Sequence, residues 1–299
     1  MFSEKFLAKN KNTLIILSAA LLVLDFLVYA RVFALLHVSR DLKIYFLDVG
    51  QGDSELIILP GLPAQAGGVK VLIDGGPPNG QLLEDLGKIL PPTDRYIDLV
   101  MASHPQLDHF GGFIEVLKRY RVGAFLWNGR EGTASAWPEL KKVVAENSIR
   151  TIILAASDKI LYGKNRFEIL SPPPEFLSSK ELNDTTLVTE LLSNNSKSLF
   201  TGDIGFKVED YLVKNSIGEM DILKVPHHGS KTSSGAGFLA ALKPKIAAIE
   251  VGKNTYGHPT KETLGRLENI GAKIFRTDQN GTIKILIDGK KISIFSDKN

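Results

Sequence analysis

The 299-residue chain contains no cysteine. Disulfide bonds and thiolate metal ligands are therefore excluded, and any metal must be held by imidazole, carboxylate or water. Histidine is also scarce, because the chain has only six. Five of the six fall in three short loops flanked by glycine or proline, a grouping that favours a metal site over scattered surface residues. These five are His104, His109, His227, His228 and His258.

The chain also lacks a strong excess of charge of one sign, since its net charge is +3. Residues 1–41 hold five Lys or Arg against three Asp or Glu, which leaves 31 basic and 30 acidic side chains in the remainder. A nearly neutral body gives no electrostatic footprint for tight, non-specific binding of nucleic acid.

A long apolar run covers residues 13–36 and is long enough to span a bilayer as a helix. Asp25 interrupts it at a cost of roughly 2.5–3.5 kcal/mol, and Arg31 near its end can snorkel. The run predicts a single-pass anchor in the cytoplasmic membrane; a cleaved signal peptide and an amphipathic helix packed on the body are the alternatives. Three lysines precede it, so the positive-inside rule predicts a cytoplasmic N-terminus and an extracytoplasmic body. They are Lys5, Lys9 and Lys11.

From residue 42 onward, short apolar runs alternate with helical patterns, which predicts an α/β fold of fifteen strands and six helices. No linker is long enough to divide this part of the chain. We therefore expect an N-terminal membrane anchor at 1–41 and one domain at 42–299.

The most informative stretch runs from Ser103 to Gly112, between a buried-strand pattern and a helical one. Residues 71–104, which lead into this stretch, follow the order strand, acidic glycine turn, helix, strand and histidine loop, and the same order recurs from Leu199 to His228. Two such halves, stacked sheet on sheet, would bring their strand-end loops to one rim. The ligands expected along that rim suit a divalent metal. They are His104, Asp108, His109, Asp203 and His227.

Eight short motifs recur in order along the domain, at 46–53, 72–76, 103–112, 201–203, 226–230, 256–259, 276–278 and 281–283. Together they resemble the metallo-β-lactamase superfamily and, within it, the C-terminal domain of ComEC-type competence proteins, over essentially all of 42–299. The resemblance implies a four-layer αββα sandwich with metal between the loop edges of its sheets. It also implies hydrolase chemistry and a nuclease role on incoming DNA, here in a free-standing, membrane-tethered relative.

Carried over by the resemblance, Asp108, His109 and His227 match the ligands of the second metal position. Asp203 matches the carboxylate that bridges two metals, and His104 matches the first histidine of the first position. The chain departs from the family pattern at Gln106, which replaces the second histidine of His-x-His-x-Asp-His. Asn183 or Asp184 lies where another ligand is expected. We therefore expect one or two divalent ions, Mn²⁺ or Zn²⁺, since an oxygen-rich first site suits Mn²⁺ or Mg²⁺ better.

Several residues beside the ligands are candidates for catalysis. On an extended strand end, the side chains of His227 and His228 would point oppositely, so that His228 would face the substrate while His227 binds metal. Lys231 lies in a hydroxyl-rich loop that can receive a phosphate or simply start a helix. His258 is a candidate phosphate contact or proton donor. Asp108 would hold metal and orient the attacking water.

Two other aspartates, Asp53 and Asp74, lie in glycine turns. We expect them to cap backbone N–H groups rather than to act in the site.

The favoured hypothesis is metal-assisted hydrolysis of a phosphodiester in DNA. A second hypothesis keeps the hydrolase but takes a lactam, lactone, cyclic nucleotide or envelope phosphoester as substrate, which the neutral charge favours. A third is a non-catalytic, tethered binding module, which Gln106 favours. The sequence identifies no protein partner.

Overall fold

The computed structural model describes residues 11–36, 41–61, 68–289 and 291–298. The chain divides into two units. One contains the helix α1 (Lys11–Leu36), whose stretch Lys11–Phe33 is long and apolar enough to cross a membrane. Its large apolar side chains are exposed, from Ile15 to Phe33. Lys5, Lys9 and His37 lie outside the described residues, so the direction of insertion stays a prediction.

The other unit is built on two sheets. Within the described residues, the strands are β1 (Leu42–Phe46), β2 (Glu55–Ile58), β3 (Lys70–Ile73), β4 (Tyr96–Met101), β5 (Arg121–Trp127), β6 (Arg150–Ile153), β7 (Lys159–Tyr162), β8 (Asn165–Ser171), β9 (Val188–Ser193), β10 (Ser196–Phe200), β11 (Ile222–Lys224), β12 (Ile246–Ile249), β13 (Lys273–Arg276), β14 (Ile283–Asp288) and β15 (Lys291–Ser296). The first sheet has the order β15-β14-β1-β2-β3-β4-β5-β6, and the second has the order β13-β12-β11-β10-β9-β8-β7.

Helices connect the strands and cover the outer faces of both sheets. They are α2 (Gln81–Ile89), α3 (Leu107–Phe110), α4 (Phe113–Leu117), α5 (Trp137–Glu146), α6 (Phe206–Lys214), α7 (Ala236–Leu242), α8 (Lys261–Asn269) and α9 (Thr277–Asn280). Short 3-10 turns lie at Pro174–Phe176, Leu182–Thr185 and Pro226–Gly229.

The strand β1 shows how the layers form. Ile44 and Phe46 pack between the sheets, in a cluster that also holds Phe200 of the second sheet. Tyr45 and Leu47 point the other way, into the cluster under the helices of the first sheet. Alternation along the strand thus buries both faces, as expected of a strand covered on each side. A third cluster lies between the second sheet and α6 to α8. The predicted αββα sandwich is confirmed.

The repeated order of elements is confirmed as well. The strands β3 and β4 pair in parallel around α2, and β10 and β11 pair in parallel around α6. Chain direction therefore delivers the histidine loop of each half beyond the carboxyl end of a parallel strand. This topology places the two loops where the sheets open towards solvent.

A buried carboxylate links two helices of the second half. Glu209 of α6 accepts hydrogen bonds from the backbone N–H groups of Ser234 and Gly235, at the start of α7, the latter at 2.8 Å. Burial raises the pKa of Glu209 to about 7, although these bonds and Arg266 favour its charged form. The exposed Asp210 beside it adds to the rise.

This carboxylate makes stability depend on pH. Because its pKa in the folded chain exceeds the ordinary 4.5, Glu209 stabilises the fold most below pH 4.5 and loses that contribution as the pH rises through 7. The difference amounts to roughly 3 kcal/mol. We predict that Glu209→Gln flattens this slope, measured by urea unfolding at pH 5 and pH 8. Glu268→Gln, at an exposed glutamate of α8, is the control, and an unchanged slope in Glu209→Gln contradicts the prediction.

Candidate metal centre

Four side chains from three segments converge between the two histidine loops. Asp108 and His109 come from α3, Asp203 from the turn after β10, and His228 from the turn after β11. Each offers one ligand atom, and these atoms all lie within 4.8 Å of one another. The Nε2 atom of His109 lies 3.3 Å from Asp203 Oδ2, and Nε2 of His228 lies 3.7 Å from the same oxygen. We call these four residues the ligand cluster.

The ligand cluster fits a divalent cation. The Nε2 atoms of His109 and His228 and Oδ1 of Asp203 are buried and have no hydrogen-bond partner among the described residues. Buried polar atoms are otherwise nearly always paired. Two imidazoles and two carboxylates form a donor set that suits a divalent transition metal.

Glycine lets the backbone of the first sheet approach the loop that carries two ligands. Gly52 has φ +148°, and a Cβ there would overlap the carbonyl oxygen of Asp108. The next residue, Asp53, donates its backbone N–H to that same oxygen at 3.2 Å. The Gly-Gln-Gly turn therefore fixes the position of α3 by direct backbone contact.

His109 is oriented by Asp74. Its Nδ1–H donates to Asp74 Oδ2 at 2.7 Å, so its Nε2 faces the other three residues of the ligand cluster. Asp74 also accepts from the backbone N–H of Ser103 at 2.7 Å and from its hydroxyl at 2.6 Å. The sequence pattern around Asp74 predicted turn chemistry alone. That interpretation was incomplete, because a turn with φ +52° also aims its carboxylate at the site.

His228 is held in the same manner. Its Nδ1–H faces the carbonyl oxygen of Glu250 at 2.8 Å and Asp53 Oδ1 at 3.2 Å, so its Nε2 faces the cluster. Asp53, predicted to cap a turn, instead contacts a ligand and forms an ion pair with Lys224, a side chain with no exposed area. Lys224 also donates to the carbonyl oxygen of Gly202 at 3.2 Å, directly before Asp203.

Carboxylates dominate the electrostatics of the site. Burial alone would lower the pKa of His228, but Asp203 and Asp53 outweigh it and raise the pKa to about 10. They act likewise with Asp74 and Asp108 on His109, whose pKa rises well above its ordinary value. Burial would raise the pKa of Asp203, yet the imidazoles of His228 and His109 hold it well below normal. The site therefore attracts positive charge.

Behind the ligand cluster lies a buried acidic pair. Glu55 and Glu250 have almost no exposed area, and burial, with the neighbouring carboxylate Asp53, raises the pKa of Glu250 to about 8. Burial and the neighbouring carboxylate of Glu250 also raise the pKa of Glu55 well above its ordinary value. Glu250 accepts the backbone N–H of Ser54 at 3.0 Å. Sequence reasoning missed Lys224 and Glu250; alternation along β11 and β12 is the signal that places them inside.

The positions of His227 and His228 differ from the expected arrangement. Both lie in the turn Pro226–Gly229 with left-handed backbone angles, at φ 50° and φ 51°, and not on an extended strand end. His228 is consequently the buried member and enters the ligand cluster. His227 is half-buried, with Nε2 3.8 Å from Asp203 Oδ2. The premise of oppositely pointing side chains was wrong, because it assumed extended backbone.

His104 lies beside the ligand cluster but not in it. Its ring centre is 4.1 Å from that of His109, and burial lowers the pKa of His104 to about 4. Its Nδ1 contacts the Ser103 hydroxyl at 3.0 Å and its Nε2 contacts Gln106 Oε1 at 3.2 Å. Gln106 in turn donates to Asn183 Oδ1 at 2.9 Å. The expected first metal position thus contains one imidazole and two amides.

The remaining predicted catalytic residues, His258 and Lys231, lie at the solvent-facing edge of the site, which we call the mouth. The ring of His258 is 5.7 Å from that of His227, and Lys231 is exposed in the loop after His228. Asp184 does not face His104; it pairs with Lys207 at 2.6 Å and accepts from the Ser179 hydroxyl.

Comparison with known proteins identifies the class. Residues 64–252 match the family described as the metallo-beta-lactamase superfamily, and the chain belongs to that superfamily. Solved structures support the fold. The metallo hydrolase Igni18 of Ignicoccus hospitalis has a TM-score of 0.52 at 16% identity, covering 82% of this chain and 98% of that one. The metallo-beta-lactamase fold protein YhfI of Bacillus subtilis gives 0.52 at 10% identity, covering 80% and 98%.

Curated relatives are competence and recombination proteins. ComE operon protein 3 of Bacillus subtilis (strain 168) is 32% identical over 267 residues, which cover 82% of this chain and 33% of that protein. Recombination protein 2 of Haemophilus influenzae is 29% identical over 244 residues, which cover 80% and 28%. Competence protein ComA of Neisseria gonorrhoeae is 30% identical over 193 residues, which cover 64% and 25%. The aligned part is thus about a third or less of each relative.

The contacts of Asp74 lead to a prediction. In Asp74→Asn an amide replaces the carboxylate that accepts from His109 Nδ1, so the ring loses its fixed orientation. We expect metal affinity to fall roughly 10- to 100-fold. Isothermal titration of the full chain with Mn²⁺ and with Zn²⁺ measures it. Asp48→Asn is the matched control, since Asp48 pairs with Lys298 at the surface. Equal affinities in wild type and Asp74→Asn contradict the assignment.

Proposed function

We propose that this chain is a metal-dependent phosphodiesterase that hydrolyses DNA outside the cytoplasmic membrane, tethered by α1. The observation that carries the proposal is the ligand cluster, with its unpaired imidazole nitrogens and carboxylate oxygen. The names of the competence and recombination relatives support DNA as the substrate. The predicted orientation of α1 supports the extracytoplasmic placement.

Asp108, His109, Asp203 and His228 would hold the cation. When bound, a divalent cation supplies Lewis acidity towards a phosphoryl oxygen and lowers the pKa of a water molecule in its coordination shell. Asp108 is the ligand with the most exposed side chain, at 37%, and is placed to accept a hydrogen bond from the attacking water. Asp74 and Asp53 keep the two imidazoles in the tautomer that presents Nε2.

The mouth residues act on the substrate. Burial lowers the pKa of His227 and of His258, so both rings are neutral near pH 7 and can donate a hydrogen bond to a phosphoryl oxygen without adding charge. Lys231 supplies an ammonium group in the neighbouring loop. It neutralises phosphate charge and can protonate the leaving alkoxide.

A ligand substitution tests the activity. We predict that Asp108→Asn lowers the rate of hydrolysis of single-stranded DNA by more than roughly 100-fold, because a ligand matters more than the outer partners whose loss costs 10- to 100-fold. Treatment with a chelator should abolish activity, and Mn²⁺ or Zn²⁺ should restore it. Asp184→Asn is the control, since that carboxylate faces Lys207.

The outcomes separate the hypotheses. A metal-loaded wild-type chain that is inert on single- and double-stranded DNA ends the nuclease proposal. Hydrolysis of a lactone or cyclic nucleotide instead, lost in Asp108→Asn, moves the chain to the small-molecule class.

The expected first metal position, where Gln106 and Asn183 lie beside His104, predicts how many ions each chain binds. Because Gln106 and Asn183 bring no charge and bond to each other, we expect one tightly held ion per chain. Gln106→His restores a second imidazole beside His104 and should raise the count towards two. Native mass spectrometry of the metal-loaded full chain measures the count, with Gln279→His, at an exposed glutamine of α9, as the control. Two tightly bound ions in the wild type contradict this prediction.

A further inference from the structure

A row of aromatic rings leads from the ligand cluster to the surface. Ring centres are 6.3 Å apart between His228 and His227, 5.7 Å between His227 and His258, and 5.8 Å between His258 and Tyr256. The last two rings are stacked, with an interplanar angle of 26°. Tyr256 ends the row with 74% of its surface exposed.

The loop that carries Tyr256 is held rigidly by one side chain. Asn254 donates to the carbonyl oxygens of Gly252 and His258, both at 2.9 Å. Its own side-chain oxygen accepts the backbone N–H groups of Tyr256 and His258, both at 3.1 Å. Gly257 takes φ +76° between the two rings, which an L side chain would adopt only with strain.

The loop is also tied to the rest of the site. The backbone N–H of Thr260 donates to the carbonyl oxygen of Gly229 at 3.0 Å, and that of Gly252 donates to Gln51 at 3.2 Å. The loop that carries Tyr256 is therefore fixed relative to His228 and to the turn Gly50–Gly52, which contacts α3. A fixed aromatic face binds a flat ligand without the entropy cost of ordering a loop.

We propose that Tyr256 is the stacking platform for a nucleobase of a single-stranded polynucleotide whose phosphodiester reaches the ligand cluster. This inference rests on the proposed function and adds the site that recognises the base. Stacking on an aromatic face tolerates any base, because every base has a π-face. It also accounts for how a nearly neutral body can hold DNA without an extended basic groove. The exposed Lys253 lies in the same loop as Tyr256, and the exposed Lys231 lies in the loop after His228; both can contact the backbone phosphates.

The test pairs Tyr256 variants with substrates that have or lack bases. The full chain in detergent micelles is assayed with Mn²⁺ on a thymidine oligonucleotide and on an abasic oligonucleotide of the same length. For the thymidine substrate, we expect Tyr256→Ala to raise KM roughly 5- to 150-fold with little change in kcat. For the abasic substrate, we expect no effect. Tyr256→Phe should behave as wild type.

The controls isolate the platform from other roles. Tyr96→Ala removes a partly exposed tyrosine at the opposite end of β4, 40% exposed, and should change neither substrate's KM. Metal affinity, measured by titration, should be equal in wild type and Tyr256→Ala, because Tyr256 contacts no ligand.

Each failure has its own signature. Equal KM values for wild type and Tyr256→Ala on the thymidine substrate overturn the platform and leave the nuclease intact. No cleavage of either oligonucleotide by the wild type defeats the proposed function itself.

Discussion

The site depends on buried carboxylates whose negative charge must be compensated by neighbouring groups. Asp53, Asp74 and Asp203 are at most 2% exposed, and buried carboxylates are costly unless cations or hydrogen-bond donors face them. Each has a different partner: an ammonium for Asp53, the N–H and O–H of Ser103 for Asp74, and two imidazoles for Asp203. The imidazoles can take up protons to serve that purpose. A divalent cation serves it better, and the unpaired Nε2 atoms face the place where it would lie.

The four-layer sandwich makes this arrangement possible, because it gives the site two kinds of support. Parallel strands deliver the ligands from their carboxyl ends, and the inter-sheet layer receives the residues behind them. Lys224 lies two residues after Ile222 on β11 and therefore points to the same side, into the layer between the sheets. From there its ammonium group reaches Asp53. The polar network of the site therefore continues directly from the apolar layer between the sheets.

Much of this was predictable from the sequence. Alternating apolar runs predicted the strands, and the repeated order of elements predicted that the loops after β4 and β11 would meet. Asp108, His109 and Asp203, which the sequence placed along one rim, lie close together in the structure. The choice between His227 and His228 was not predictable, because it depends on two left-handed backbone conformations. The supporting role of Asp74 was missed because a turn aspartate has an adequate local explanation, and Lys224 because lysine is usually exposed.

The ligands that converge on the cluster lie far apart along the chain. Asp108 belongs to the first half of the domain, whereas Asp203 and His228 belong to the second. An ion held between them therefore acts as a cross-link, which closes a long stretch of polypeptide and restrains the unfolded chain whenever it stays bound. Removal of the ion would therefore weaken the contact between the two halves of the domain rather than the position of a single loop. The two sheets and their inter-sheet core would then hold the halves together alone.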